Sequence, residues 1–368
     1  MILTRFLYIK DEVELSLLTA LLKKEELEII YYWAYELYYS GFELELFELL
    51  WKIYLDFYYV HQPYFSVYFK KKHDLWKADK KMNHVAFILR NMYNLKADGG
   101  VFLVRQKFAQ ELSPTILYKY KYKYKHSIFD NLLLSLERKH FENIWYHLKA
   151  LLERGSSINE INQVVASFLK VDIDPNVSLH YLQAVIYKTL FANNNDDKKE
   201  KHIYVMPRQE HLDEMLRLEK EVIPLTKKGN VQTYNTLLLK RMVSIDDNIG
   251  SFEMVRWQYK DLQREHWFHW EYYAMGSPLW MKRLEKHGGF VNHDLRKIEF
   301  TSEKSEEDFY DVYAYELDEL PKEVQLMSMK PVLKSNGSMW FNYVFGIDVG
   351  TDAGECTEDT NKSWQWNY

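Results

Sequence analysis

The sequence predicts a mainly α protein, an irregular multi-helical bundle or α-solenoid-like array with a few short strands and a less ordered C-terminal end. Three observations carry that expectation. Only 13 glycines and 8 prolines occur in 368 residues, about half of the ~12 per cent that average usage supplies, and β-rich folds consume both in turns. The stretch from Leu27 to Val60 carries thin polar stripes at helical spacing on an otherwise apolar surface. From Ser127 to Ala192, apolar runs of helical period alternate with short, well-punctuated turns.

A first helix is expected from Asp11 to about Lys24, with acidic residues in its opening turn and Val13, Leu17, Leu18, Leu21 and Leu22 on its apolar side. The next stretch reads as a helical hairpin. In its second half Glu45, Glu48, Lys52 and Asp56 recur at steps of three, four and four, which puts them on one exposed stripe. In its first half Lys24, Glu28, Tyr32 and Glu36 share a face, and Gly41 sits where a helix C-terminus takes positive φ. Helices with so little polar surface must be covered on most sides. Trp33 and Trp51 are therefore expected on opposing helices of a core, in preference to an aromatic ligand pocket.

After Pro63 the segment from Tyr64 to Lys81 shows no assigned periodicity, and helical spacing resumes through Val85, Ile88, Leu89 and Met92 until Asp98-Gly99-Gly100. The run from Val101 to Phe108 is expected to be extended. Strict alternation of Tyr118, Tyr120, Tyr122 and Tyr124 with Lys119, Lys121, Lys123 and Lys125 has a strand's period. Ser127 with Asp130 opens a helix through Leu132, Leu133 and Leu136. The next carries Ile144, Trp145, Leu148, Leu151 and Leu152 and stops at Gly155. Ser157 and Glu160 form a capping box before Ile161, Val164 and Val165, and Asp174-Pro175 is expected to start a helix carrying Leu179, Leu182, Ile186 and Leu190. No fixed repeat emerges, and tetratricopeptide signature positions are not kept.

The polar residues 193–202 read as a linker between an aromatic-rich helical domain, 1–192, and a second helical domain, 203–334, followed by a turn-rich tail, 335–368. Within the second domain His202 to Met206 is expected to form a short strand. Pro207 then suits the first turn of a helix bearing Leu212, Met215 and Leu216. Further helices are expected over Val231 to Val243, Phe252 to Ala274 and from Pro278 to Gly288-Gly289, before an acidic segment from Glu303 to Glu323.

Cys356 stands alone, which excludes an internal disulfide and a cysteine-rich zinc site and fits a reducing compartment. Charges at Arg5, Lys10, Asp11 and Glu12 break any signal-peptide run, and no window offers about eighteen uncharged apolar residues. A soluble, intracellular protein is expected. A net charge of −5 does not advertise nucleic-acid binding for the chain as a whole, so local patches decide.

Two groups of residues suggest chemistry. Lys70, Lys71 and Lys72, together with Lys119, Tyr120, Lys121, Tyr122, Lys123 and Lys125, combine phosphate-neutralising cations with rings that stack on bases, as single-strand binders do. The competing reading is a solvated strand with its tyrosines on the core. His266 and His269, three apart beside Glu265 and Glu271, could share a metal with His287 or His293, or sit at the edge of an aromatic packing helix. No nucleophile elbow, phosphate-loop motif or catalytic-cysteine context accompanies them, and no cofactor is predicted.

The segments FLYIKDEV (Phe6 to Val13), YYWAYELYYSG (Tyr31 to Gly41) and LWKIYLDFY (Leu50 to Tyr58) resemble the opening of an uncharacterised protein family of nucleocytoplasmic large DNA viruses, the mimivirus-like group, with a weaker echo in YELDELPKEVQ from Tyr315. The resemblance covers about the first sixty residues. It implies a setting, the cytoplasm of an infected host cell and the virion, and no catalytic or binding residues. The function expected from the sequence is a non-enzymatic helical scaffold that holds protein partners. The alternative is a nucleic-acid-binding accessory factor of replication, transcription or packaging.

Overall fold

The computed structural model describes residues 2–110, 127–173, 177–192, 204–219, 268–313 and 337–346. Among these residues lie fifteen helices and one two-stranded sheet, so the chain is mainly α as its sequence predicts. The first six helices are α1 (Lys10–Lys23), α2 (Leu27–Tyr39), α3 (Glu43–Phe57), α4 (Phe65–Asp79), α5 (Asn83–Asn94) and α6 (Gly100–Gln110). Then come α7 (Ile128–Glu137), α8 (Phe141–Glu153), α9 (Ile158–Leu169), α10 (Leu179–Leu190) and α11 (Gln209–Glu219). The remainder comprises α12 (Trp270–Ala274), α13 (Pro278–Lys286), strands β1 (Gly289–Asn292) and β2 (Lys297–Phe300), α14 (Glu303–Tyr313) and α15 (Gly337–Phe345).

The α2–α3 hairpin turns where the sequence places it. Gly41 has φ +91°, the Gly41 amide donates to the Tyr38 carbonyl and the Phe42 amide to the Leu37 carbonyl, a Schellman closure that a residue with a Cβ would strain. Around the hairpin pack α1, α5 and α11 on α2, and α6 and α10 on α3. Trp33 is buried, edge-on to Tyr8 and Tyr32. Trp51 is only half-buried, lying among Tyr54, Phe69 and Tyr181.

Several local expectations are corrected. The lysine-rich segment after Pro63 is the helix α4, which turns Phe65, Phe69 and Trp76 inward and gives its lysines to the outside. The run at Val101 is the helix α6, not extended chain, because a short apolar run has no period of its own and Val101, Phe102 and Val104 pack inward at helical spacing. The helix expected at Asp174-Pro175 starts at Leu179, where the Ser178 hydroxyl accepts from the Tyr181 amide. Residues 204–208 are not a strand. Residues 337–345, in the segment expected to be turn-rich, form α15, whose Trp340, Phe341 and Val344 enter the main core. The hairpin β1–β2 pairs Gly289 with Phe300 through Asn292 with Lys297. The Ser127–Asp130 capping box is present with both reciprocal bonds, and Ser157 caps α9. The Tyr-Lys alternation, the expected linker 193–202 and the expected helix from Val231 to Val243 lie outside the described residues.

Two apolar clusters organise these elements. The larger joins α1 through α11 with α15; the smaller gathers Leu3, Leu7, Trp270, Tyr273, Trp280, Leu284 and Phe309. Residues 2–9 tie the smaller cluster to the hairpin turn. The Leu3 amide donates to the Tyr273 carbonyl (3.3 Å) and the Trp280 indole to the Thr4 carbonyl (3.1 Å). The Ser277 hydroxyl reaches the Ser40 carbonyl at 2.9 Å.

Candidate functional site: an acidic pocket between two helices

The polar stripes of α2 and α3 behave as expected at one end only. Glu45 and Glu48 are exposed and so is Glu28, but Asp56 and Glu36 are both fully buried. Each buried carboxylate meets a partner from a distant part of the chain. Glu36 accepts the Phe6 amide at 2.8 Å and pairs with the Arg5 guanidinium at 3.3 Å. Asp56 accepts from His180 Nε2 at 2.6 Å and lies 3.4 Å from Arg105. Burial pushes the His180 imidazole below its usual range, against the opposing pull of Asp56, so at neutral pH it serves as an uncharged donor. These pairs fix the N-terminal strap on α2 and the start of α10 on α3. Local periodicity reads both carboxylates as surface residues because their partners lie far away in sequence.

With α2 so anchored, its other end presents a concave surface to α11. The approach to α11 is held first by residues 204–208. The Asn91 side chain imitates a peptide group, donating to the Val205 carbonyl at 3.0 Å and accepting its amide at 2.8 Å, while Tyr204 stacks on Tyr68 with centroids 4.0 Å apart. Helix α11 then sits on α2. The Tyr39 hydroxyl donates to the Met215 carbonyl at 3.0 Å, and His211 Nε2 meets Glu28 at 2.9 Å.

Between the two helices lies a half-open pocket of about 550 Å³, within the size range of small-ligand sites. Glu26 and Glu28 from the start of α2 and Glu210 and Glu214 from α11 supply its carboxylates; Ile29, Tyr31, Tyr32 and Met215 supply apolar and aromatic wall. Arg217, also lining the pocket, is paired with Glu214. Burial pushes the Tyr31 hydroxyl well above its usual range, Arg90 opposing and Glu28 adding to the rise, so it stays protonated. That hydroxyl and His211 Nδ1 are buried with no hydrogen-bond partner among the described residues. Both residues line the pocket, with these two atoms beneath its surface.

The residues singled out in the sequence are not brought together here. Lys70 and Lys71 are exposed on α4, while Lys72 lies 3.9 Å over the Phe87 ring and 5.5 Å from Tyr68, its ammonium pushed down in pKa by burial and then by Lys71. Lys119, Tyr120, Lys121, Tyr122, Lys123 and Lys125 fall outside the described residues, as does His266. His269 Nδ1 donates to the Arg296 carbonyl at 2.9 Å, and His293 Nδ1 is engaged by the Tyr272 hydroxyl at 3.2 Å. His287 packs edge-on against Phe309 and Tyr313. Among the described residues no three His, Cys, Asp or Glu side chains gather as metal ligands. Beside His269, burial pushes the Glu271 carboxyl up to about 7, the Tyr310 hydroxyl's hydrogen bond opposing the rise.

The acidic pocket had no signature in the sequence. Glu28 read only as one member of a face shared with Lys24, Tyr32 and Glu36. Only the docking of α11 on α2 makes it part of one site with Glu26, Glu210 and Glu214. No helix among the described residues is long and apolar enough to cross a membrane. No protein-family model, no curated protein and no solved structure matches the chain.

Proposed function

We propose that the protein is a non-enzymatic helical scaffold that holds protein partners, and that it holds them at the pocket between α2 and α11. One observation carries this reading: a half-open pocket that combines a carboxylate rim with an aromatic and aliphatic wall, one side of it on α2, which the buried Glu36–Arg5 pair anchors. Such a surface favours a partner presenting positive charge on an apolar stem and repels phosphates. The resemblance of the first sixty residues to proteins of large DNA viruses supports the cytoplasm of an infected cell, and the virion, as the setting.

The test is affinity capture of the full chain from infected cells, comparing the parent with a Glu28→Gln, Glu214→Gln double variant. A partner that co-purifies with the parent and is depleted with the variant supports the reading. A partner retained equally by both refutes the pocket's role.

A second reading, a nucleic-acid-binding accessory factor, is favoured by the outer face of α4, where Lys70, Lys71 and Lys77 are exposed beside Tyr64. It requires affinity for a single-stranded oligonucleotide that falls steeply with salt. Absence of binding at low salt contradicts it.

A further inference from the structure

We propose that the outer face of α4, with residues 204–206 beside it, is a docking surface for an anionic phospholipid bilayer, on which the protein lies without spanning it. The inference does not depend on the pocket between α2 and α11. It rests on what α4 turns outward and on the charge around it.

Phe65, Phe69 and Trp76 face the core, and the opposite side of the helix carries Tyr64, Val67, Lys71 and Leu75, at steps of three, four and four, on one exposed stripe. Tyr64 at 72%, Val67 at 70% and Met206 at 70% are the three most exposed large apolar side chains among the described residues. Met206 joins this patch through Tyr204, which stacks on Tyr68 of α4 with centroids 4.0 Å apart and is itself exposed. Apolar side chains scattered singly over a surface are ordinary, but gathered on one face they mark an interaction surface.

The charge around them is basic. Lys70 and Lys77, both exposed, flank the stripe on one side, with Asp74 between them and Val67. From Lys70 to Lys81 six lysines stand against two aspartates, a local excess of positive charge in a chain whose net charge is −5, and Asp79 is already engaged by His84 at 3.0 Å. An anionic bilayer meets both features in one plane. The apolar side chains enter the boundary of the acyl region, while the lysine stems lie along it and keep their ammonium groups at the headgroup phosphates. Single-stranded nucleic acid fits this face less well, because Val67, Leu75 and Met206 have no ring to stack on a base and Tyr68 and Tyr204 already cover one another.

The experiment is co-sedimentation of the full chain with phosphatidylcholine vesicles and with vesicles in which about 30 per cent of the lipid is phosphatidylserine. Saturable binding to the anionic vesicles is expected, with binding to the neutral ones at least about 10-fold weaker, a difference of about 1.4 kcal/mol. Lys70→Gln with Lys71→Gln and Lys77→Gln is expected to weaken binding about 10-fold or more. Lys139→Gln with Arg154→Gln and Lys170→Gln removes the same charge from exposed positions outside α4 and is expected to leave binding unchanged. Val67→Ser with Met206→Ser keeps every charge and is expected to weaken binding about fivefold, with an unaltered thermal melt.

Equal binding to the two kinds of vesicle, or equal weakening by the control triple, overturns the proposal. So does a Val67→Ser, Met206→Ser variant that binds vesicles as the parent does, since the apolar stripe would then have no part in docking. Binding of a single-stranded oligonucleotide through Lys70, Lys71 and Lys77, with none to the anionic vesicles, also overturns it and leaves this face to nucleic acid.

Discussion

Asp56→Ala is expected to be among the most damaging single substitutions in the N-terminal helices, although periodicity alone ranks it with the exposed Glu48. Asp56 is fully buried, accepts from His180 at 2.6 Å and faces Arg105 at 3.4 Å. Because the His180 imidazole is held below its usual range, the charge that Asp56 balances at neutral pH is chiefly that of Arg105. Removing the carboxylate leaves a guanidinium in a largely dry site and an imidazole N–H without its acceptor. Breaking a buried pair in this one-sided way costs about 3 to 5 kcal/mol, a large share of the ~5 to 15 kcal/mol that holds a domain folded. Asp56→Asn keeps an acceptor for His180 and loses only the charge, so its cost is expected to be about 1.5 to 3 kcal/mol. Denaturant melts of the full chain followed by tryptophan fluorescence give both values, with Glu48→Ala as the surface reference at no more than about 0.5 kcal/mol. A double-mutant cycle with His180→Ala should return a coupling of about 1 kcal/mol or more. Asp56→Ala melting with the surface reference would refute the buried-pair argument.

Three further outcomes follow from the same packing. Trp33→Ala is expected to cost about 3 to 5 kcal/mol in the same melt, whereas the half-buried Trp51 should cost about 2; equal losses would show that Trp51 lies deeper than described. Gly41→Ala combines φ +91° with a new Cβ only 2.7 Å from Pro278 Cβ, so it should destabilise by more than about 1 kcal/mol, and a neutral effect would contradict the turn geometry. The Glu271 carboxyl, pushed from 4.5 to about 7, contributes stability that is fully present below its unfolded value near 4.5 and is lost as pH rises through 7. The displacement corresponds to about 3 kcal/mol. Glu271→Gln should therefore flatten the fall in stability between pH 4.5 and 8, and an unchanged slope would count against it.

How much of this was legible in the sequence depends on the range of the interaction. The hairpin was readable because Gly41 and the apolar spacing of Leu46, Leu50 and Ile53 are local signals, and the Ser127 cap for the same reason. Glu36 and Asp56 were misread because their partners, Arg5 and His180, lie 31 and 124 residues away and no helical wheel contains them. Helix α4 was hidden by a run of lysines around only three buried side chains, and α6 by an apolar run too short to show a period. The pocket was the least legible feature. Glu28 and His211 are 183 residues apart, and what joins their helices is a tyrosine reaching a backbone carbonyl and an asparagine imitating a peptide, neither of which leaves a pattern.

Whether partners are held between α2 and α11 is read out by amide hydrogen exchange of the full chain, alone and in the captured complex. Exchange is expected to slow on binding at the start of α2, through Tyr32, and along Gln209–Glu219, with α8 and α9 unchanged. Slowing confined to α4 around Lys70 to Lys77, with α11 unaffected, would contradict the claim.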